Sequence, residues 1–266
     1  VGSHLDTVVS GGAFDGALVV AVALECVRAM KEAGFAPAHP IEVAATSEEE
    51  GRFGGMLGSQ TIAGLVTRDW LESAADADGV LLTDAMRAQG LEPKAILSSA
   101  RPKGSVRAFL ELHIEQGPVL EREAIAIGLP EGATGIVNLH VRLTGIANHS
   151  GTTPMDMRAD AFAGLAEIAV QIPDMIAASG SKDARITIGK VELVPNHPHT
   201  IPGEAVFTVI IRDAREEVMR GLQARFGEAA ADAARKHGLS LSIEENSFIA
   251  PVAFDAGLID MLEAEA

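Results

Sequence analysis

The sequence predicts an α/β protein in which a first domain, a mixed sheet flanked by helices, carries an inserted α+β domain. In the first part of the chain, a helical apolar segment separates two short apolar runs that end in polar residues, which is the order of a β-α-β unit. From residue 136 the order becomes strand, helix, strand, strand, helix, strand, which is typical of a small sandwich with an antiparallel sheet. The predicted boundaries are 1–134 for the first domain, 135–248 for the inserted domain and 249–266 for a return to the first domain.

The first predicted helix covers residues 17–33, which are apolar and rich in alanine and are followed by Gly34. A glycine directly after the last apolar turn is a common helix stop. Residues 41–46 form a short apolar run that predicts a buried strand of a parallel sheet. A further helix is predicted at 84–90, and a further strand at 106–114.

The elements of the inserted domain follow from the same change between strand and helix periodicity. They are a strand at 136–143, a helix at 158–176, strands at 184–193 and 204–212, a helix at 216–236 and a strand at 239–245. A last helical pattern covers residues 254–266.

Composition excludes several classes of partner. The formal net charge of −16 opposes binding to nucleic acid and to anionic membranes, so neither is expected as a partner. It also repels small anions, so an anionic substrate needs a local cluster of Arg and His. Cys26 is the single cysteine, which rules out an intramolecular disulfide and a cysteine-rich zinc site. Because it lies in an apolar helical pattern, Cys26 is expected to be buried.

Three segments each contain potential metal ligands: GSHLDT at 2–7, GGAFDG at 11–16 and SEEEG at 47–51. Together they predict half of a two-metal hydrolase site, in which a shared carboxylate lies between two divalent ions. Asp15 is the natural bridge, and His4 and the carboxylates at 48–50 would bind the two ions. Of two adjacent acidic residues, one can be a ligand and its neighbour a general base. Asp6 can accept the second N–H of the His4 imidazole.

A later segment, LHIEQGP at 112–118, again ends an apolar run on a histidine, His113, which can complete the first metal's ligands. In the inserted domain, His149 lies in a polar, glycine-bracketed loop and can polarise a substrate oxygen, although a loop that only caps the next helix explains the pattern equally well. Arg212 ends an apolar strand and can hold a substrate carboxylate. An ion pair with Asp213 is the alternative.

The motifs GSHLDT, GG-x-FDG, EEGRFGGMLGS, LHIEQGP and HSGTTPM resemble those of the hydantoinase/carbamoylase amidases, a branch of the di-zinc aminoacylase and carboxypeptidase superfamily. The resemblance covers residues 2–266. That family contains N-carbamoyl-L-amino-acid hydrolases, β-ureidopropionases and allantoate amidohydrolases. The resemblance implies a di-zinc peptidase-like catalytic domain with an inserted lid and dimerisation domain, and therefore a homodimer.

Matched residue by residue, the resemblance implies two divalent ions, zinc or manganese, with a defined set of metal ligands: His4, Asp15, Glu50 and His113. It implies Glu49 as the general base, and the alternative register moves the base and ligand to Glu48 and Glu49. His149 matches a histidine that stabilises the oxyanion and can serve the partner subunit's site. Gln116 matches a residue that lines the site.

Three departures from the family pattern affect the prediction. His199 stands where the family usually has Asn, so either Asn196 or His199 is expected to contact the substrate. Arg212 matches the family's carboxylate-binding Arg, but Ile210 replaces an Asp two residues before it. The family's last metal ligand would lie beyond residue 266. The chain is therefore expected to be an internal fragment that binds its second metal weakly and has little activity.

The function implied is metal-dependent hydrolysis of a linear C–N amide or ureido bond in a small-molecule substrate, with N-carbamoyl-L-amino acids as the first substrate class. A cytoplasmic location is the default expectation, because the sequence carries no apolar stretch long enough to span a bilayer and no export pattern. The alternatives within the same chemistry are allantoate amidohydrolase and β-ureidopropionase. A metallopeptidase or aminoacylase is a further alternative, which is disfavoured because His113 stands where the peptidase branch usually has an acidic ligand. A non-catalytic dimerisation or binding homologue is the alternative from another class.

Overall fold

The computed structural model describes residues 1–265, and the chain divides into two compact units, Val1–Ala124 and Ile125–Ala266. The strands are β1 (Gly2–His4), β2 (Ala44–Thr46), β3 (Gly132–Ala133), β4 (Gly135–Thr144), β5 (Asn148–His149), β6 (Arg185–Val194), β7 (Thr200–Ile201), β8 (Glu204–Asp213), β9 (Ser240–Ile249) and β10 (Val252–Ala253). The helices are α1 (Ala17–Glu32), α2 (Leu57–Ala63), α3 (Arg68–Ser73), α4 (Leu82–Ala88), α5 (Val119–Glu123), α6 (Ala161–Val170), α7 (Ile172–Ser179), α8 (Glu216–His237) and α9 (Ala256–Glu265). The predicted α/β class is confirmed.

The first unit contains the predicted β-α-β arrangement. Strands β1 and β2 pair in parallel, and α1 connects them. Helix α1 ends as predicted, because Gly34 adopts a left-handed conformation with φ 69° and its N–H donates to the Lys31 carbonyl, while Phe35 N–H donates to Met30. This arrangement places His4 at the carboxyl end of β1.

Two expectations for the first unit are wrong. Cys26 is exposed, because β1 and β2 are only three residues long and the part of α1 that packs on them is the N-terminal half, with buried residues Val19, Val20 and Ala23. Residues 106–114 form no strand in the described chain. A single backbone hydrogen bond, from Gly2 N to Leu110 O at 3.4 Å, joins this segment to β1, and one such bond does not make a ladder.

The second unit contains a four-stranded antiparallel sheet in the order β6-β8-β4-β9, with α6, α7 and α8 packed against it. The predicted strand, helix, strand, strand, helix, strand order is therefore confirmed. Alternate residues of β4 and β8 are fully buried, or nearly so, and they form the core with α8. The central core residues are Val137, Leu139, Val141, Leu143, Phe207, Val209, Ile211, Met219, Leu222 and Phe226.

The helix predicted at 158–176 is two helices, α6 and α7, which meet at Gln171. Pro173 lies in the first turn of α7, where its missing N–H costs no intrahelical hydrogen bond, so the proline starts a new helix. The last helix begins at Ala256, two residues after its predicted start, and residue 266 of that prediction lies outside the described residues.

The segment Ala161–Ser179 is long and apolar enough, with a hydropathy of 1.4, to span a bilayer by length and composition alone. Leu165, Ile168 and Met175 of this segment are buried in the core of the second unit. The segment is broken at Gln171 and packs against α8 and the sheet. The buried apolar residues of this segment therefore contribute to the core of the second unit.

Candidate active site

The glycine-rich turn before α1 fixes the position of Asp15. Gly16 has φ 66°, and a Cβ at Gly16 would lie 2.5 Å from Nδ1 and 2.6 Å from the carbonyl oxygen of His4. Only glycine combines this conformation with so close an approach to His4. The Asp15 side chain, 14% exposed, is thereby held beside the end of β1.

Two histidines direct the same ring nitrogen at one oxygen of Asp15. His4 Nδ1 lies 2.8 Å from the Asp6 carbonyl oxygen, and His113 Nδ1 lies 2.6 Å from the Ile114 carbonyl oxygen. A carbonyl oxygen only accepts, so each neutral ring carries its proton on Nδ1. The Nε2 lone pairs remain, 3.8 Å (His4) and 3.3 Å (His113) from Asp15 Oδ1.

Asp15 Oδ1 is buried and, among residues 1–265, accepts no hydrogen bond, while Oδ2 accepts one from Gln116 Nε2 at 2.5 Å. An anionic oxygen facing two lone pairs is an unfavourable arrangement unless a positive charge lies among them. A divalent cation fits this requirement. The donor set of histidine nitrogen and carboxylate oxygen suits zinc or manganese.

The three glutamates after β2 point in different directions. Glu48 has φ 62°, and its Oε1 accepts the Phe53 N–H at 2.5 Å, so it serves the loop that follows. Glu49 Oε2 lies 3.9 Å from His4 Nε2. Glu50 joins His4 and Asp15 in a cluster whose ligand atoms all lie within 4.8 Å of one another.

Charge and burial shift two pKa values in this cluster upward. Burial raises the pKa of Glu49, and the nearby charges of Glu50, Asp6 and Asp15 add to this effect against the opposing influence of His4. For His4, burial lowers the pKa, but the hydrogen bond to the Asp6 carbonyl and the charges of Glu49, Asp6 and Asp15 outweigh it, so the pKa is raised. Glu49 and His4 therefore retain their protons more readily than the isolated side chains do.

Asp6 contacts the cluster through both its backbone carbonyl and its carboxylate. Its carboxylate was expected to accept the His4 N–H, but its carbonyl oxygen does so, and the nearer carboxylate oxygen is 3.9 Å away. The carboxylate instead accepts the Glu50 N–H at 3.0 Å. Burial raises the pKa of Asp6, but hydrogen bonds from the backbone of Glu50 and Glu49 outweigh it and hold the pKa below its ordinary value.

The remaining predicted residues lie in the second unit. His149, in β5, pairs with Thr200 of β7. The backbone N–H groups of Gly151 and Thr152 donate to His149 Nδ1 at 3.0 and 3.2 Å, so the neutral ring carries its proton on Nε2. His149 is exposed, and its Nε2–H is available as a donor to a substrate oxygen.

The second unit brings His199 next to the His149 loop, because the Ser150 N–H donates to the His199 carbonyl at 3.0 Å. Asn196 has φ 49° and, with Phe162 and His197, lines a groove of about 370 Å³. Arg212 lies exposed at the end of β8. Asp213, the alternative partner of Arg212, is fully buried and accepts the Arg215 N–H at 2.9 Å. In the described chain Arg212 and Asp213 form no ion pair.

The sequence profile described as Peptidase family M20/M25/M40 matches residues 1–266. The chain belongs to this family. It is 39% identical over 269 residues to an N-carbamoyl-L-amino-acid amidohydrolase of Paenarthrobacter aurescens, covering 100% of this chain and 65% of that relative. An allantoate amidohydrolase of Escherichia coli (strain K12) is 39% identical over 222 residues, 82% of this chain and 53% of that protein.

Solved structures show the same relationship. A hydantoinase/carbamoylase family amidase from Burkholderia ambifaria superposes with a TM-score of 0.83 at 34% identity, covering 99% of this chain and 64% of that chain. The resemblance inferred from the motifs is thus confirmed, and the metal dependence of the M20 family agrees with the cluster at His4, Asp15 and Glu50. The chain spans about 65% of the first curated relative.

Sequence reasoning missed two residues that position the site. Gly16 was quoted in a motif, but its role as the only residue that fits against His4 appears only in three dimensions. Arg158 donates to the Ser150 carbonyl at 2.7 Å and to the Thr153 carbonyl at 3.0 and 3.1 Å, and so holds the loop that contains His149. An arginine following a polar loop carries no distinctive sequence signal.

Proposed function

We propose that the protein containing this chain is a metal-dependent amidohydrolase that hydrolyses the ureido C–N bond of N-carbamoyl-L-amino acids. The observation that carries the proposal is the convergence of two histidine Nε2 atoms, from His4 and His113, on one unsatisfied oxygen of Asp15. The identity with N-carbamoyl-L-amino-acid amidohydrolases over the whole chain supports the choice of substrate.

The residues proposed to hold two divalent ions, zinc or manganese, are His4, Asp15, Glu50 and His113, with Asp15 shared. Such ions act as Lewis acids toward a carbonyl oxygen and lower the pKa of water. The unsatisfied, buried Oδ1 of Asp15 supports this assignment, because a cation removes the cost of its burial. Both Nδ1–H groups are already engaged by carbonyls, so the rings are oriented before any ligand arrives.

Glu49 is proposed as the general base. Its carboxylate accepts a proton from the attacking water and passes it to the leaving nitrogen. A base is most effective when its pKa lies near the working pH, and the raised pKa of Glu49 moves it in that direction. The amino acid, carbon dioxide and ammonia are the products.

His149 is proposed to donate its Nε2–H to the oxyanion that forms when the carbonyl is attacked. A donor that is already oriented stabilises developing charge without reorganisation. The two backbone N–H groups on Nδ1 hold the ring in the tautomer that this role requires. Asn196 or His199 is proposed to contact the substrate, Arg212 to hold its carboxylate, and Gln116 to line the site through its hydrogen bond to Asp15.

Allantoate hydrolysis is the second candidate, and the allantoate amidohydrolase of Escherichia coli at 39% identity favours it. Allantoate and N-carbamoyl amino acids both present a ureido group next to a carboxylate-bearing carbon. The same side chains can therefore serve either substrate. β-Ureidopropionate, in which the carboxylate is one carbon further away, is a third substrate of the same chemistry.

The proposal includes a homodimer that forms through the predicted inserted domain at 135–248, in which His149 serves the partner subunit's site. It also includes a cytoplasmic location. The resemblance supports the homodimer and the role of His149 in the partner subunit's site. A boundary of catalytic and inserted domains at residues 134 and 135 stays a prediction.

The test is a turnover screen of the metal-loaded, full-length protein that contains this chain on N-carbamoyl-L-amino acids, β-ureidopropionate and allantoate, with Glu49→Gln and Glu48→Gln as a matched pair. Each variant removes one negative charge, and they lie at adjacent positions. Loss of turnover in Glu49→Gln with retention in Glu48→Gln supports Glu49 as the base. The reverse result assigns the base to Glu48, and no turnover of any of the three substrate types by the metal-loaded wild type overturns the proposal.

A further inference from the structure

Arg185 and Arg212 lie directly opposite each other on adjacent strands of the second unit. The antiparallel register of β6 and β8 pairs these two residues. Opposed residues of antiparallel strands extend their side chains from the same face of the sheet. Both arginines are exposed on the face that α6, α7 and α8 leave open.

In the described part of the chain, no carboxylate oxygen lies within ion-pair distance, 4.0 Å, of either arginine of this pair. Ion pairs in the second unit join other residues, and none within residues 1–265 includes Arg185 or Arg212. The neighbours on the same face, Ile136 opposite Arg212 on β4 and the Thr187–Ile210 pair next along, are uncharged. Two positive charges therefore remain unneutralised.

The Arg185 guanidinium is held in place by the backbone. Its Nη1 donates to the carbonyl oxygens of Lys182 and Ala184, each at 2.8 Å. A guanidinium has five N–H groups, so those on Nε and Nη2 remain for another acceptor. The backbone thus fixes the Arg185 guanidinium through Nη1, while Nε and Nη2 can donate two parallel hydrogen bonds to a carboxylate.

Two unpaired arginines side by side are unexpected in a chain with a formal net charge of −16. With 37 acidic and 21 basic residues, the chain has carboxylates in excess, and Arg142, Arg220 and Lys236 elsewhere in the second unit have acidic partners. Like charges placed opposite each other across strands are destabilising, and an anion bound between them removes the repulsion. The net negative charge also repels small anions, so a ligand with carboxylates needs such a cationic spot.

We propose that Arg185 acts with Arg212 as a two-arginine carboxylate site, and that the preferred substrates are N-carbamoyl amino acids with an acidic side chain. The substrate part rests on the proposed function, in which Arg212 holds one carboxylate. A single carboxylate leaves one positive charge unmatched, whereas N-carbamoyl-L-aspartate and N-carbamoyl-L-glutamate match both. Arg185 is thus a specificity-determining residue for the second carboxylate.

Binding of a simple dicarboxylate tests the site without any catalysis. Succinate is titrated into chelator-treated protein by calorimetry, so that metal ions do not bind it, and succinamide serves as the uncharged probe. Arg185→Gln is expected to weaken succinate binding about 10-fold, which is the loss of one charge-assisted hydrogen-bonded partner. Arg185→Lys is expected to recover part of the affinity. Arg225→Gln, which removes an exposed α8 cation with the same charge change, is expected to bind succinate like the wild type.

Turnover tests the substrate class. The ratio of kcat/KM for N-carbamoyl-L-aspartate to that for N-carbamoyl-L-alanine is expected to exceed 1 in the wild type, to fall about 10-fold in Arg185→Gln and to stay unchanged in Arg225→Gln. Equal loss for both substrates, or succinate binding in Arg185→Gln equal to that of Arg225→Gln, overturns the inference. If no N-carbamoyl compound is hydrolysed, the proposed function fails, while Arg185-dependent succinate binding still establishes the carboxylate site.

Discussion

Nε2 of His113 lies 3.3 Å from Oδ1 of Asp15, and neither atom carries a hydrogen when the His113 ring is neutral. Two acceptors at this distance repel each other unless a cation or a proton is shared between them. His4 presents its Nε2 to the same oxygen from another segment of the chain. The arrangement is therefore favourable with a cation bound, and the predictions about metal follow from it.

Asp15→Ala is expected to abolish metal-dependent stabilisation. A ligand that binds the folded state alone stabilises it by about 2.7 kcal/mol when present at 100 times its Kd. Zinc or manganese at that excess should therefore raise the unfolding free energy of the wild type by that amount, and chelator should reverse the effect. Denaturant unfolding with and without metal measures it. His39→Ala, an exposed histidine away from the cluster, is the control and should behave like the wild type; an equal metal effect in Asp15→Ala would contradict the assignment.

Gly16→Ala is expected to weaken metal binding at least 10-fold, because the new methyl group would overlap the His4 ring and carbonyl. Gly34→Ala is the matched control. Gly34 also has a left-handed backbone, φ 69° against 66° for Gly16, but its Cβ would meet no atom within 4 Å. Gly34→Ala should thus cost only the backbone strain, about 1 kcal/mol of unfolding free energy, with metal affinity retained. Calorimetric metal titration of both variants separates strain from displacement of His4.

His149→Ala is expected to lower kcat about 10²- to 10³-fold with little change in KM, as for removal of one oxyanion donor. Arg158→Ala should lower kcat less, because it loosens the His149 loop and leaves the ring present, and Arg158→Lys should recover part of the loss. Steady-state kinetics on the preferred substrate measures these effects, and ¹⁵N chemical shifts of His149 report whether its proton stays on Nε2. A rise in KM with unchanged kcat would instead assign His149 to substrate binding.

Glu167 links α6 to the end of α8 through Lys236 at 2.9 Å and His237 at 2.7 Å. These hydrogen bonds hold the pKa of Glu167 below its ordinary value of 4.5. A lowered folded-state pKa contributes stability that is present above pH 4.5 and is lost as the pH falls through the folded value. Glu167→Gln should therefore be less stable than the wild type at pH 7, with the difference disappearing in acid. Denaturant unfolding at several pH values checks this, with Glu228→Gln, an exposed α8 carboxylate, as the control. A difference independent of pH would point to packing instead.

Periodicity predicted the second unit well because its strands are long and half-buried, so β4 and β8 alternate between core and open face. The first unit was harder. Residues 106–114 alternate like a strand, yet a strand also needs a neighbour that pairs along its length, and pairing is not encoded in one segment. Cys26 continues the apolar stripe of α1, but burial depends on how far the short strands beneath the helix extend.

For the candidate site, the motif resemblance supplied the proposed ligands but not the hydrogen bonds that orient them. The Asp6 carbonyl is the acceptor for His4 where its carboxylate was expected, because backbone geometry decides which oxygen is in reach. The different directions of Glu48, Glu49 and Glu50 depend on the left-handed backbone at Glu48, and three identical residues in a row give no sequence signal for that turn. The inter-strand arginine pair likewise depends on a register that only the sheet defines.

The convergence of His4 and His113 on Asp15 also bears on how the first unit folds. These proposed ligands come from the beginning and the end of that unit, and a cation that joins them would tie together segments that are far apart in the sequence. Unlike a disulfide, which a chain with a single cysteine cannot form within itself, such a cation would hold the segments together only while the unit is folded. The cation would then act as a reversible cross-link, so that metal supply sets how often this unit opens and how readily proteases cut it.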